Sequence, residues 1–319
     1  MDHQSATLTR IVINADDMGY APERDRGILD AVGNGICSSA SILANGLSAE
    51  GALRGWKEME REWKKPRSLT PSLGIHINFT EGSPISEPKE IPSLLDSKSH
   101  EFLGKFGFGE AVRTKKVDLK HVEIELEAQL KWFQKHVGRA PSHADGHNHA
   151  HVYPGVAQIV AKVCAKWDIH WIRCPYEDFP VGTSDNKQNN FCRNIALHAQ
   201  NASKVFRNNK LRVVSHFYGM QISGKDLTVS NIQKIIAKAS RTEGQVVEIM
   251  THPGYPSKTG DEFSRSGDRL HELKVLTNES LVAAARKANV GPFISKLQPC
   301  PNLVNSLDNI EVQGRIIGA

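Results

Sequence analysis

The stretch SHADGHNHAHVYP, residues 142–154, places His143, Asp145, His147, His149 and His151 at every second position. On an extended strand successive side chains face opposite sides. His143, Asp145 and His147 would then share one face, with Ala144, Gly146 and Asn148 on the other. Burying such ionisable groups unpaired costs several kcal/mol, a penalty that a metal ion or a tight network around one removes. Imidazole and carboxylate without thiolate suit Zn²⁺, Mn²⁺, Fe²⁺ or Co²⁺ and, with added waters, Mg²⁺. Not every histidine of the run can be a ligand; the others orient the ligands or touch substrate.

These residues need elements to position them. RIVINADD reads as a buried strand ending in Asp16 and Asp17, and SLGIHINF as a strand carrying His76. IHWIRCPY brings Arg173, LRVVSHFYG brings His216, and GQVVEIMTHPGY ends at His252. Taken singly, each has a plainer reading. An Asp pair caps a helix or starts a turn, a lone histidine is a hydrogen-bonded core residue, and Arg173 pairs with a nearby carboxylate. His216 keeps that plainer reading. The set is different, because the C-terminal ends of parallel strands converge on one rim, where such folds build active sites.

Between the strands lie stretches of helical period. Pro22 falls in the first turn of one helix, Ser48 is placed to cap a second, and Asp118 opens a third, DLKHVEIELEAQLKWFQKHVG. One last helix is expected over HELKVLTNESLVAAARKA, then a short strand PFISK. Residues 80–114 are too long for a plain connection and form a candidate lid or binding loop. Residues 183–210 mix polar loop with helix. Repeated strand–helix units predict a single parallel α/β domain over residues 1–319, with seven or eight strands. No GxGxxG opens the first helix, which favours a (β/α) barrel over an open doubly wound sheet.

Composition narrows the function. The 319 residues are 39% hydrophobic and 24% charged, ordinary for a globular protein with a sizeable core. The net charge of +5 comes from scattered Lys and Arg, which argues against a nucleic-acid partner. Cys37, Cys164, Cys174, Cys192 and Cys300 are odd in number and form no CxxC, so reduced, mostly buried thiols are expected. No apolar run reaches the length of a membrane span, and MDHQSATLTR lacks a signal-like apolar region. A soluble, cytoplasmic protein without a membrane partner is the expectation; a homodimer is compatible with it.

With these residues assembled, the chain resembles the YdjC-like carbohydrate deacetylases, within the wider polysaccharide-deacetylase (NodB-like) type of α/β barrel. The resemblance is carried by VINADDMG, RGILDAVGNGICSSASILANG, LGIHINFTEG, PSHADGHNHAHVYP and THPGY, in that order over roughly residues 10–255. Met18 stands where an aromatic is frequent, and the length is nearest that of the animal members. The resemblance implies Asp17, His76 and His143 as ligands of one divalent metal, Mg²⁺ or Zn²⁺, and Asp16 as the catalytic base. It also implies a hydrolase that removes acetyl groups from N-acetylated sugars or short oligosaccharides. His252 is the candidate general acid, Arg173 is placed to pair with Asp16, and Asp145 and His147 are expected behind the ligands or against substrate.

Two other readings keep the barrel. One is a phosphoesterase or amidohydrolase holding two or three metals; the other is a catalytically silent sugar- or metal-binding protein. The Asp16–Asp17 pair counts against the silent form, because a pure binder needs no free base beside a ligand.

Overall fold

The computed structural model describes residues 9–63, 70–178, 186–257 and 262–294. Six strands follow from the apolar runs: β1 (Arg10–Met18), β2 (Ser39–Ile42), β3 (Ser72–Ile77), β4 (Ala144–Gly146), β5 (His216–Tyr218) and β6 (Val246–Thr251). They form one parallel sheet in the order β4-β3-β2-β1-β6-β5. β1 sits near the middle and is buried over its last eight residues, as expected of a central strand in a parallel sheet.

The helices are α1 (Pro22–Gly33), α2 (Ala49–Glu62), α3 (Gly104–Arg113), α4 (Leu119–Val137), α5 (Val156–Lys166), α6 (Lys187–Asn208), α7 (Val229–Ala239), α8 (Glu262–Arg265), α9 (Asp268–Leu276) and α10 (Glu279–Lys287). α2 buries Ala49, Ala52, Leu53 and Trp56, the i, i+3, i+4, i+7 stripe of a helix lying on a core. α4 opens as its sequence predicts, with the Asp118 side chain accepting from the Lys120 N–H. No helix among the described residues is long and apolar enough to cross a membrane. Cys37, Cys164, Cys174 and Cys192 are buried free thiols, while Cys300 lies outside the described residues.

The architecture corrects the expected barrel. Six strands are present among the described residues, not seven or eight, and the sheet does not close. IHWIRCPY makes only single bridges, Ala144 to Ile172 and Trp171 to Arg212. Pro175 stands three residues past Ile172 of the first bridge and has no N–H to continue a ladder. Only His216–Tyr218 of LRVVSHFYG pairs as a strand. Of PFISK, 292–294 are non-strand and 295–296 lie outside the described residues; just before it, Val290 bridges to Ile11.

Three local expectations also change. Ser48 makes no side-chain cap; its hydroxyl donates to Asp25 instead. The last expected helix divides into α9 and α10, because Asn278 caps a new start by accepting from the Ser280 N–H. Residues 80–114 are not a bare loop: they contain two short 3-10 turns and α3. α4 holds this segment down. Its buried Glu125 accepts from the Ile85 and Ser86 N–H groups, and Gln129 exchanges hydrogen bonds with the Asn78 backbone.

Candidate active site

The site begins with a backbone irregularity. β1 loses its regular pairing between Ala15 and Met18, and Asp17 takes a left-handed φ of 65°. An extended strand would send neighbouring side chains to opposite faces. Here the bend lets Asp16 and Asp17 both line one cavity of about 610 Å³. Gly19, at φ +92°, completes the turn, where any Cβ would press on Leu43 and Ala49 at 3.1–3.2 Å. Asp25 receives the Gly19 N–H at 2.6 Å and so ties the turn to α1. Burial pushes the Asp25 carboxyl up to about 6, although the Ser48 hydroxyl and the Gly19 N–H oppose the shift.

The adjacent carboxylates serve separate networks. Both Asp16 oxygens meet the Arg173 guanidinium, at 2.5 Å to Nη1 and 2.7 Å to Nη2, and Asn14 Nδ2 donates to Oδ1 at 2.7 Å. Such a planar fork fixes a carboxylate's orientation. Arg173 also reaches Asp145 at 3.0 Å and Glu248 at 2.8 Å, so one buried guanidinium serves three acids. Burial alone would lower its pKa; Asp145, Asp16 and Glu248 instead raise it well above the usual value. Glu248 is pushed up to about 7 by burial, against the pull of Arg173.

Asp17 turns the other way. Its Oδ2 pairs with Arg24 Nη1 at 2.6 Å, and its Oδ1 lies 3.1 Å from His76 Nε2 and 2.8 Å from His147 Nδ1. Each imidazole has a further acid on its far nitrogen: Asp145 Oδ1 at 2.8 Å from His76 Nδ1, and Glu81 Oε2 at 3.2 Å from His147 Nε2. Burial would lower both imidazole pKa values. Asp145 and Asp17 override it at His76, raised to about 10, while Asp17 and Glu81 raise His147 to about 9. Burial would raise Asp17, but His147, His76 and Arg24 hold it well below the usual carboxylate range.

The donor atoms of Asp17, His76 and His147 lie close enough together to hold one ion. Two buried imidazoles and a carboxylate, each imidazole backed by an acid, fit a divalent cation. Asp16, His76 and Asp145 also lie within such a distance. That second group fits less well, because Asp145 already accepts from Asn14, Ser41, Arg173 and His76. Asp145 also does not line the cavity.

The structure therefore brings Asp16, Asp17, His76, His147 and His252 to one cavity, with Arg173 and Asp145 behind them. His143 does not join them. It does face the sheet side that alternation predicts: a Cβ on Gly74 would fall 2.4–2.6 Å from its ring. It lies before β4 begins, however, one layer deeper than Asp145, with its ring 4.4 Å from that of Phe293. Ser142 Oγ lies 2.9 Å from its Nδ1, and burial pushes its pKa down to about 4. The position that reaches Asp17 is His147, just past the end of β4.

Beyond it alternation stops, because Asn148 and His149 are both left-handed. His149 lines the cavity, and His151 is fully buried, with Nε2 2.9 Å from the Arg173 carbonyl. His252 also lines the cavity; its N–H donates to Glu272 Oε2 at 2.5 Å, and its Nδ1 has no hydrogen-bond partner among the described residues. Burial lowers its pKa, against Glu272, Asp16 and Asp17. His216 is half-buried and outside the cavity.

Sequence reasoning missed Glu81, Arg24 and Glu248. Glu81 lay in the presumed lid, and Arg24 and Glu248 looked like ordinary helix and strand charges. The one available signal was that a carboxylate deep inside the run VVEIM needs a cation.

Comparison with known proteins shows the family and the fold. The model of the family described as YdjC-like protein matches residues 10–287. A carbohydrate deacetylase of Homo sapiens is 38% identical over 290 residues, covering 86% of each chain. One from Geobacillus stearothermophilus is 32% identical over 285 residues, 88% of this chain and 94% of that one. A solved structure from Enterococcus faecalis V583, named for cellobiose-phosphate cleavage, superposes with a TM-score of 0.68 at 21% identity, covering 90% and 97%. That last likeness concerns the fold alone.

Proposed function

Because the chain belongs to the YdjC-like family, we propose that it is a metal-dependent hydrolase removing acetyl groups from N-acetylated sugars or short oligosaccharides, working as one catalytic domain. The observation that carries the reading is the division of labour at 16 and 17: one carboxylate on an arginine fork, its neighbour on two imidazoles. The activities named for the human and Geobacillus relatives support it.

Asp17, His76 and His147 would hold the cation. When bound, a divalent ion supplies Lewis-acid polarisation of the acetamide carbonyl and of water. Asp16, held by Arg173 and Asn14, accepts the proton of the attacking water as its oxygen bonds to the carbonyl carbon. The C–N bond then breaks, and His252 gives a proton to the departing amine nitrogen. The burial that lowers the His252 pKa makes its protonated form a stronger acid toward that amine. Products are acetate and the free amino sugar.

The test is acetate release from a panel of N-acetylated mono- and oligosaccharides, with and without chelator. Chelator-sensitive acetate is expected. None from any member overturns the reading.

A further inference from the structure

A second cavity of about 1140 Å³ lies between α3 and the first turns of α6. It shares Lys105, Phe106 and Phe191 with the cavity that holds Asp16 and Asp17. These three form a ridge between the two spaces. The rings of Phe106 and Phe191 meet edge to face at 6.2 Å, and Lys105 Nζ stands 3.7 Å from the Phe191 centroid. Phe106 is 50% exposed, a large aromatic face presented to solvent beside a catalytic opening. Beyond the ridge lie Tyr153, Asn190, Asn194 and His198, with the Tyr153 and His198 rings 5.1 Å apart.

We propose that this groove binds the sugar units attached to the acetylated one. The inference rests on the deacetylase reading above and names the part of the substrate that reading leaves open. A pyranose ring has apolar C–H faces that pack on aromatic rings and peripheral hydroxyls that need donors and acceptors. The groove supplies both: aromatic surface at Phe106, Phe191 and Tyr153, and amide or imidazole groups at Asn190, Asn194 and His198. Its continuity with the catalytic cavity selects this occupant, since a chain extending from an acetyl group seated near Asp16 crosses the Phe106 ridge. Binding energy from such remote units is available to the reaction, so shorter substrates turn over less well.

The experiment uses the full chain loaded with Zn²⁺ or Mg²⁺. Acetate release is measured from N-acetylglucosamine and from its linear dimer and trimer. Wild type, Phe106→Ala and Asn194→Trp are compared; both positions are exposed enough to change without disturbing the core. In wild type, kcat/KM should rise about tenfold from monomer to trimer, and each variant should remove most of that ratio. A flat wild-type profile, or an unchanged ratio in both variants, overturns the groove while the acetate itself upholds the deacetylase reading. If no substrate releases acetate, calorimetric titration with the trimer still decides. Saturable binding lost in Asn194→Trp supports the groove, and no binding, or equal binding, overturns it.

Discussion

Glu81 Oε2 stands 3.2 Å from His147 Nε2, on the side of the ring away from Asp17. Asn78 sets that position, accepting from the Glu81 N–H and donating to its carbonyl. A carboxylate there favours a proton on Nε2 and leaves the Nδ1 lone pair for a cation. Asp145 does the same for His76 from the opposite nitrogen. Glu81→Ala should therefore weaken divalent binding about 10–100-fold, read by calorimetry with Zn²⁺. An unchanged affinity would remove Glu81 from the site.

Asp16→Asn should separate turnover from metal binding. Acetate release should fall by about 10²–10⁴-fold, the usual worth of a positioned base. Metal content per chain should stay at the wild-type level, because Asp16 is outside the Asp17–His76–His147 group. Near-normal turnover would show that another residue takes the proton.

His143 and His147 should behave oppositely. His147→Leu should lose the metal, whereas His143→Leu should keep it, as elemental analysis of the purified proteins would show. The His143 layer answers to stability instead. Gly74→Ala puts a methyl against the His143 ring and should cost about 1–3 kcal/mol in urea unfolding, with partial recovery in the Gly74→Ala, His143→Ala double variant. Metal loss on changing His143 would reinstate it as a ligand.

Glu177 sets a pH dependence of folding. Its buried carboxyl receives the Gly219 and Met220 N–H groups, yet burial pushes its pKa up to about 7. The folded chain then holds that proton more tightly than the unfolded chain does. The contribution is present in full below the unfolded pKa, about 4.5, and is lost as pH rises through about 7. Relative to Glu177→Gln, wild type should lose on the order of 1–3 kcal/mol across that window. Parallel stability curves for the two proteins would contradict this.

Much of this site was legible in the sequence, and His143 shows where legibility stops. Alternation placed it on the correct side of the sheet, since a two-residue period fixes the face. Depth along the strand is a different quantity, set by where β4 starts and ends against β3, and a histidine four residues later was at the right height. Glu81 could not be ranked because its placement depends on Asn78, and through it on Gln129 of the distant α4. The six-strand sheet departs from the expected closed barrel for a similar reason. Apolar runs announce strands, but Pro175 and the single bridges at Trp171 and Ile172 decide whether a run forms a ladder.

The left-handed backbone at Asp17 restricts that position twice over. Chemistry there asks for a short anionic oxygen donor, and the backbone asks for one of the few side chains besides glycine that accept a positive φ. Aspartate and asparagine meet the second demand, and only aspartate meets both. Position 16 has no positive φ and escapes the second demand. A glutamate at 16 asks only for repacking, but at 17 the same change would have to rebuild the turn, so the two neighbours differ sharply in how many substitutions a working site can survive.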